Sequence, residues 1–255
     1  MRYPIWKTLL KSLRWIGNNI NSLYIAATTP PTLSNEAFNV VPDELKIYVP
    51  FESVTEYRTQ WSEFSDRFVA YDFENKMVYD PRVVDLGLSV KWASCNVGAN
   101  APEEYGDYFA WGEISPKKEY TEDNCTTYGV PMSDIAGNPA YDAATANWGG
   151  NWRMPTKDEI IELRKNCTWE WTSLNGVNGK RVTGPNGNSI FLPAAGFCES
   201  SSYYVGSDGY YWSSTPYGNS YFDAYSLYFY YVHGDYYGVT DYDSYLGRSV
   251  RPVIE

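Results

Sequence analysis

Between Val182 and Gly247 the chain has no lysine and no arginine, while six acids fall there: Glu199, Asp208, Asp223, Asp235, Asp241 and Asp243. An anionic ligand is disfavoured at such a surface, and a polar, neutral or basic one suits it. The whole chain carries a net charge of −11, which argues against nucleic-acid binding, because phosphates require a basic footprint. A single histidine, His233, removes most Ser-His-Asp, Cys-His and His-ligated metal schemes. No GxSxG, P-loop or HExxH occurs, and no GxGxxG follows a strand. Asp241 and Asp243 stand two apart but match no calcium loop. Other carboxylates are numerous, and nothing selects a glycosidase pair among them. No apolar run approaches the roughly 20 residues of a membrane span. The four cysteines form no CxxC; one or two disulfides and free buried thiols both fit. The expectation from these absences is a non-enzymatic protein with no catalytic residues, no cofactor and no required metal.

What is abundant is tyrosine. Fourteen of the 25 tyrosines lie between Tyr203 and Tyr245, interleaved with Ser, Gly, Asp and Asn. Tyrosine offers rigid amphipathic contact area at low entropy cost, and the small polar residues add adaptable hydrogen bonds. The tract is too aromatic for ordinary disorder. Strand alternation over Ala224–Val232 puts Tyr225, Leu227 and Phe229 on one face and Ser226, Tyr228 and Tyr230 on the other. The Leu/Phe face is expected inside, so Tyr228 and Tyr230 point outward with Tyr231 at the turn. Tyr217, Tyr221, Phe222, Asp223, His233, Asp235, Tyr236, Tyr237, Asp241, Tyr242, Asp243 and Tyr245 are expected in exposed loops. An exposed aromatic patch of this size calls for a partner. Trp212, Leu246 and Val250 are assigned to the framework.

Two dissimilar parts divide the chain, 1–80 and 84–255. The opening MRYPIWKTLLKSLRWIGNNI is basic and amphipathic, without the apolar core and cleavage site of a signal peptide. It is read as a helix packed on protein, with a membrane surface as the alternative. LYIAA (23–27) and LKIYVP (45–50) read as strands. Ser53-Val-Thr-Glu56 reads as a capping box opening a helix with Val54, Tyr57, Trp61, Phe64 and Phe68 on one stripe. Residues 71–82 read as a linker. The segments ATTPPTLSNEAF and LKIYVPFESVTEYRTQWSEFSDRF resemble the closing repeat of BspA-like leucine-rich-repeat surface proteins, which implies a strand–helix repeat or cap over 1–80.

In the second part, Leu86, Leu88, Val90 and Trp92 alternate as a strand. Thr156-Lys-Asp-Glu159 is a second capping box, with Ile160, Leu163 and Cys167 on one face. NG and GPNG mark turns between short strands, and GRSVRPV reads as a final strand. The motifs DLGLSVKWASCNVGA, EEYGDYFAWGE, ATANWGGNWRMPTKDEI, TGPNGNSIFLPAAGF, YYWSS and GRSVRPV resemble, in order, the major paralogous domain of gut-anaerobe surface proteins. That resemblance implies an α+β, C-type-lectin-like domain over 84–255, with two helices and a small twisted antiparallel sheet. The calcium-holding EPN, QPD and WND tripeptides of sugar-binding lectins do not occur.

Some members of this group resemble variable proteins of diversity-generating retroelements, which rewrite adenines so that AAC or AAT codons scatter to others ending in C or T. Such codons cannot encode Lys, Glu, Gln, Met or Trp. Residues 213–245 contain none of these five types, which together make up roughly a fifth of ordinary sequence. The expectation is a display protein on a cell surface or phage particle. Its tyrosine-rich, variable face would meet a protein or glycan ligand on another cell or particle, with no nucleic-acid partner. A carbohydrate-binding or carbohydrate-cleaving surface protein is the alternative.

Overall fold

The computed structural model describes residues 3–5, 12–13, 21–33, 42, 44–74, 76–231 and 236–255. Contacts separate two units, Met1–Asp80 and Pro81–Glu255. Of the described residues 35% are strand and 16% helix.

The N-terminal unit is a ladder of parallel strands. β1 (Tyr3–Ile5), β3 (Ser22–Ile25), β5 (Lys46–Pro50) and β6 (Phe68–Asp72) pair in that order, and β7 (Met77–Val78) returns antiparallel on β6. β2 (Ser12–Leu13) pairs with β4 (Thr32–Leu33), also in parallel. Strand starts recur about every twenty residues, the arrangement of a coil whose turns share one core. Leu23, Ile25, Ile47 and Val49 alternate inward and meet Tyr57, Trp61 and Phe68. Tyr57 Oη donates to the Ala27 carbonyl (2.9 Å) and Trp61 Nε1 to that of Pro31 (3.1 Å), tying helix to strand ends.

Several expectations for this unit are corrected. The described parts of the basic opening stretch are strand, and its remainder lies outside the described residues. α1 spans only Val54–Gln60, a 3-10 turn follows at Ser62–Arg67, and Phe68 begins a strand. The Ser53 capping box does not form. A 3-10 turn over Phe51–Ser53 already holds Ser53 at φ −107°, ψ −1°, so its hydroxyl lacks the extended N-cap geometry that reaches back to the helix. The expected linker 71–82 is largely the β6–β7 hairpin.

In the second unit, α2 is Ala143–Trp148 and α3 is Lys157–Asn166. Short strands β8 (Val83–Val84), β9 (Lys91–Ala93) and β18 (Val253–Ile254) form one sheet in the order β18-β9-β8. β10 (Thr168–Leu174), β11 (Val177–Thr183) and β12 (Ser189–Pro193) form a meander. Asn175 (φ 49°) and Gly176 (φ 85°) close its first hairpin, the left-handed pair that a two-residue turn requires. β13 (Phe197–Cys198) and β14 (Ser202–Tyr203) pair. β15 (Asp208–Pro216), β16 (Asp223–Tyr230) and β17 (Tyr236–Asp243) make the sheet that carries the tyrosine tract.

This overturns the expected α+β lectin-like class: the described architecture is a set of small sheets with few, short helices. The 3.6-residue patterns are too brief to build a helical layer, and residues 236–243, expected as loop, are strand. The strand expected over Leu86–Trp92 is also broken. Gly87 turns at φ +74° with its N–H held by Asp85 (2.7 Å), yet Leu86, Val90 and Trp92 still bury. The Thr156 capping box forms because Thr156 is extended. Its hydroxyl accepts from Glu159 N (3.3 Å), its N–H donates to the Glu159 carboxylate (2.8 Å), and Ile160 and Leu163 face the core.

Candidate functional site

Strand alternation divides the β15–β17 sheet into two faces. Tyr211, Leu227, Phe229, Tyr237 and Val239 join one core with Ile160, Leu163, Trp169, Val182 and Ile190. The opposite face bears Tyr210 and Trp212 of β15, Tyr228 and Tyr230 of β16, and Tyr242 of β17. Register sets Tyr210 beside Tyr228 and Tyr228 beside Gly238. Val97, Phe109 and Trp111 cover the Trp212 end of this face. Toward Tyr230 the face is half open.

The rings on that open part touch in series. Tyr228 and Tyr230 lie with centroids 6.2 Å apart at 21°. Tyr242 stands edge-on to Tyr228 (6.3 Å, 80°) and to Tyr210 (5.7 Å, 88°). Phe197 continues the run, edge-on to Tyr210 (5.5 Å) and stacked with Tyr203 (5.4 Å). Edge-to-face pairs place a positive ring edge on a negative face and add about 0.5–1.5 kcal/mol beyond burial.

Beneath the run sits Arg248, 1% exposed. Its guanidinium carbon is 3.7 Å from the Tyr242 centroid, 4.6 Å from Trp212 and 4.9 Å from Tyr210. Nε and Nη1 have no hydrogen-bond partner among the described residues. Arg251, equally buried, is held differently: Nε donates to Asn96 Oδ1 (2.8 Å), Nη1 to the Ala93 carbonyl (3.0 Å) and Nη2 to that of Phe191 (2.9 Å). Arg248 therefore depends on three π faces where Arg251 has oxygen acceptors. Burial pushes Arg248 down to about 9, so it stays charged at neutral pH. Burial, and then the Asp208 carboxylate, push the Tyr210 phenol above its ordinary value; Tyr210 Oη donates to Asp208 at 3.2 Å. Burial raises Tyr242 as well.

The structure splits the sequence-predicted residues into several groups. Tyr228, Tyr230 and Tyr242 share the ring run. Tyr217, Tyr221, Phe222, Asp223, Asp243 and Tyr245 gather at the other end of the sheet. There Phe222 meets Tyr128 (5.0 Å) and Tyr128 meets Tyr245 (5.3 Å), both edge-on. The Asp243 carboxyl is raised, first by burial and then by the neighbouring Asp223 and Glu122 carboxylates. Tyr231 is exposed and stacks on Trp171 (5.1 Å, 30°). Asp241 is half-buried and accepts from Thr240 Oγ1 (3.3 Å). Tyr236 lies in β17 opposite Tyr230. His233 and Asp235 lie outside the described residues. Tyr237 is corrected: it stacks on Trp169 at 4.8 Å and 13°, packed against the core. Strand phase carries it to the inner face, where a loop would have left it in solvent.

Sequence reasoning missed Tyr210, Phe197, Tyr203, Tyr204, Tyr128 and Arg248. Tyr210 was readable from its alternation with Trp212, and Tyr203 and Tyr204 from lying in the same tract. Tyr204 adopts φ 58° and is 59% exposed, a conformation uncommon for a bulky residue. Tyr128 and Arg248 carried no local signal, since both are far in sequence from the rings they meet.

A cavity of about 480 Å³ lies away from the tract, with Arg82, Asn100, Asp107, Asn147 and Trp148 in its wall. Asp107 is the one carboxylate among its described lining residues. Among the described residues no group of three or more His, Cys, Asp or Glu is placed to hold a metal, the four cysteines are free, and no helix is long and apolar enough to cross a membrane. Residues 156–253 match a family described as a domain of unknown function, DUF8237. No curated protein and no solved structure matches the chain.

Proposed function

We propose that this protein is a non-enzymatic ligand-binding display protein whose contact surface is the tyrosine face of the β15–β17 sheet. The observation that carries this reading is the series of tyrosine rings, held edge to face over the buried Arg248 and backed by a packed core. Rings already fixed in place lose little freedom on binding, so their contact area is retained as affinity. The tract from Val182 to Gly247 contains no lysine or arginine and carries six acids, which favours neutral or basic partners. The ordered resemblance to gut-anaerobe surface domains supports a place on a cell surface or phage particle, with a protein or glycan on another cell or particle as the ligand. The missing Lys, Glu, Gln, Met and Trp over 213–245 support a surface diversified at adenines.

Two experiments test this. The double variant Tyr228→Ala/Tyr230→Ala is expected to melt within a few degrees of the parent and to lose capture on protein and glycan arrays. A variant that unfolds would assign both rings to the core and refute the reading. At the gene, a neighbouring reverse transcriptase and a template repeat matching the 3′ end except at adenines are expected. A locus without them refutes diversification and leaves the binding face to the array result.

A further inference from the structure

In the N-terminal unit, the carboxyl ends of β3, β5 and β6 converge on a cavity of about 350 Å³. Its wall includes three aromatic residues, Phe51, Tyr71 and Phe73, and three carboxylates, Glu52, Asp72 and Glu74, with no lysine, arginine or histidine among the described lining residues. The rings are braced from behind. Tyr71 packs edge-on to Tyr24 (5.0 Å), Tyr48 (5.6 Å) and Phe73 (4.9 Å), and Tyr24 and Tyr48 stack at 4.4 Å and 8°. Phe51 stacks on Tyr79 at 4.1 Å and 9°. Asp72 Oδ1 accepts from Glu74 N (2.9 Å), which fixes the turn that carries Phe73 and Glu74.

Cavity and rings define the site; the charges select what enters. The volume lies in the range of about 300–1,000 Å³ used by small-ligand pockets. Ring faces present negative charge and attract a cation. Carboxylates on the same wall repel anions and strengthen the preference. A neutral apolar group would gain the rings but no attraction to the exposed Glu52 and Glu74 carboxylates. We propose that this cavity receives the cationic end of a lysine or arginine side chain presented by a partner polypeptide, its alkyl stem along the rings and its charged head toward the carboxylates. This site lies wholly within the N-terminal unit, so its fate and that of the tyrosine face are decided separately.

Ligand-observed NMR on the full chain tests it with N-acetyl-lysine methylamide, N-acetyl-arginine methylamide and the neutral N-acetyl-norleucine methylamide. The lysine and arginine probes are expected to bind at least about tenfold more tightly than norleucine, equivalent to about 1.4 kcal/mol, and to weaken as salt rises. Glu52→Gln/Glu74→Gln, at two exposed positions, is expected to erase most of that preference with the melting temperature unchanged. Phe73→Ala is expected to weaken all three probes. Equal binding of norleucine, no binding of any probe, or an unchanged preference in the double Gln variant would overturn the assignment. Tighter binding of spermidine than of the lysine probe would replace the side chain with a free polyamine and overturn it too.

Discussion

Two glycines of the tyrosine sheet give opposite forecasts for the same small change. Gly209 in β15 lies opposite Phe229, and a Cβ built there falls 2.2–2.7 Å from three atoms of the Phe229 ring. Phe229 is fully buried, with Tyr211 at 6.1 Å, Trp171 at 6.3 Å and Trp169 at 6.4 Å around it. The ring has nowhere to withdraw, so Gly209→Ala overpacks the core at a cost of about 1–3 kcal/mol. For a domain of this size that lowers the melting temperature by roughly 2–12 °C. Gly238 in β17 lies opposite Tyr228, and a Cβ there falls 2.8–2.9 Å from the far end of the Tyr228 ring. Tyr228 is only half-buried, so its ring can swing away, and alanine in a strand regains roughly 0.5–1 kcal/mol over glycine. Gly238→Ala is therefore expected to melt within about 2 °C of the parent while shifting the Tyr228 and Tyr230 ring resonances and reducing ligand capture. Calorimetry and aromatic NMR on both variants make the test. A Gly209→Ala protein as stable as the parent, or a Gly238→Ala protein with unmoved rings, would refute the packing described for this sheet.

Tyr237→Ala is expected to cost roughly 1.5–3 kcal/mol through lost burial against Trp169, measured by denaturant titration, with capture per folded molecule unchanged. Glu159 is subject first to burial, which would raise its carboxyl, but the Arg153 pair (2.6 and 2.8 Å) and the Thr156 amide bring it below the ordinary value. Its stabilisation is therefore full above the unfolded carboxylate value of about 4.3 and is lost as pH falls through the lower folded value. Melting curves from pH 6 to 3 should show this loss in the parent and a smaller one in Glu159→Gln; equal slopes would refute the assignment.

Much of the local structure was legible because it depends on spacing alone. Leu227 and Phe229 are buried and Tyr228 and Tyr230 are not, as a period of two requires, but the expected phase fails one step earlier, where Ser226 is buried and Tyr225 is not. Thr156 and Glu159 form their capping box because the chain arrives extended after Pro155. The same signature at Ser53 failed, since the preceding turn had already set its backbone. Tyr237 was misread because Gly238 and Asp241 look like loop residues. Pairing of β17 with β16 extended the segment, and Trp169, distant in sequence, supplied the stacking partner.

By itself the sequence determined the charge and chemistry of the tract: rich in tyrosine, free of cations, spaced with small polar residues. It also determined the alternation that divides core rings from surface rings within one strand. Only the tertiary structure decided which rings meet, because Tyr210, Tyr228 and Tyr242 lie on three strands joined by register. It alone placed Arg248 beneath them, where burial strips its water and leaves π faces as its partners. And it brought Phe51, Tyr71 and Phe73 to one cavity, since parallel pairing aligns strand ends that lie some twenty residues apart in the chain.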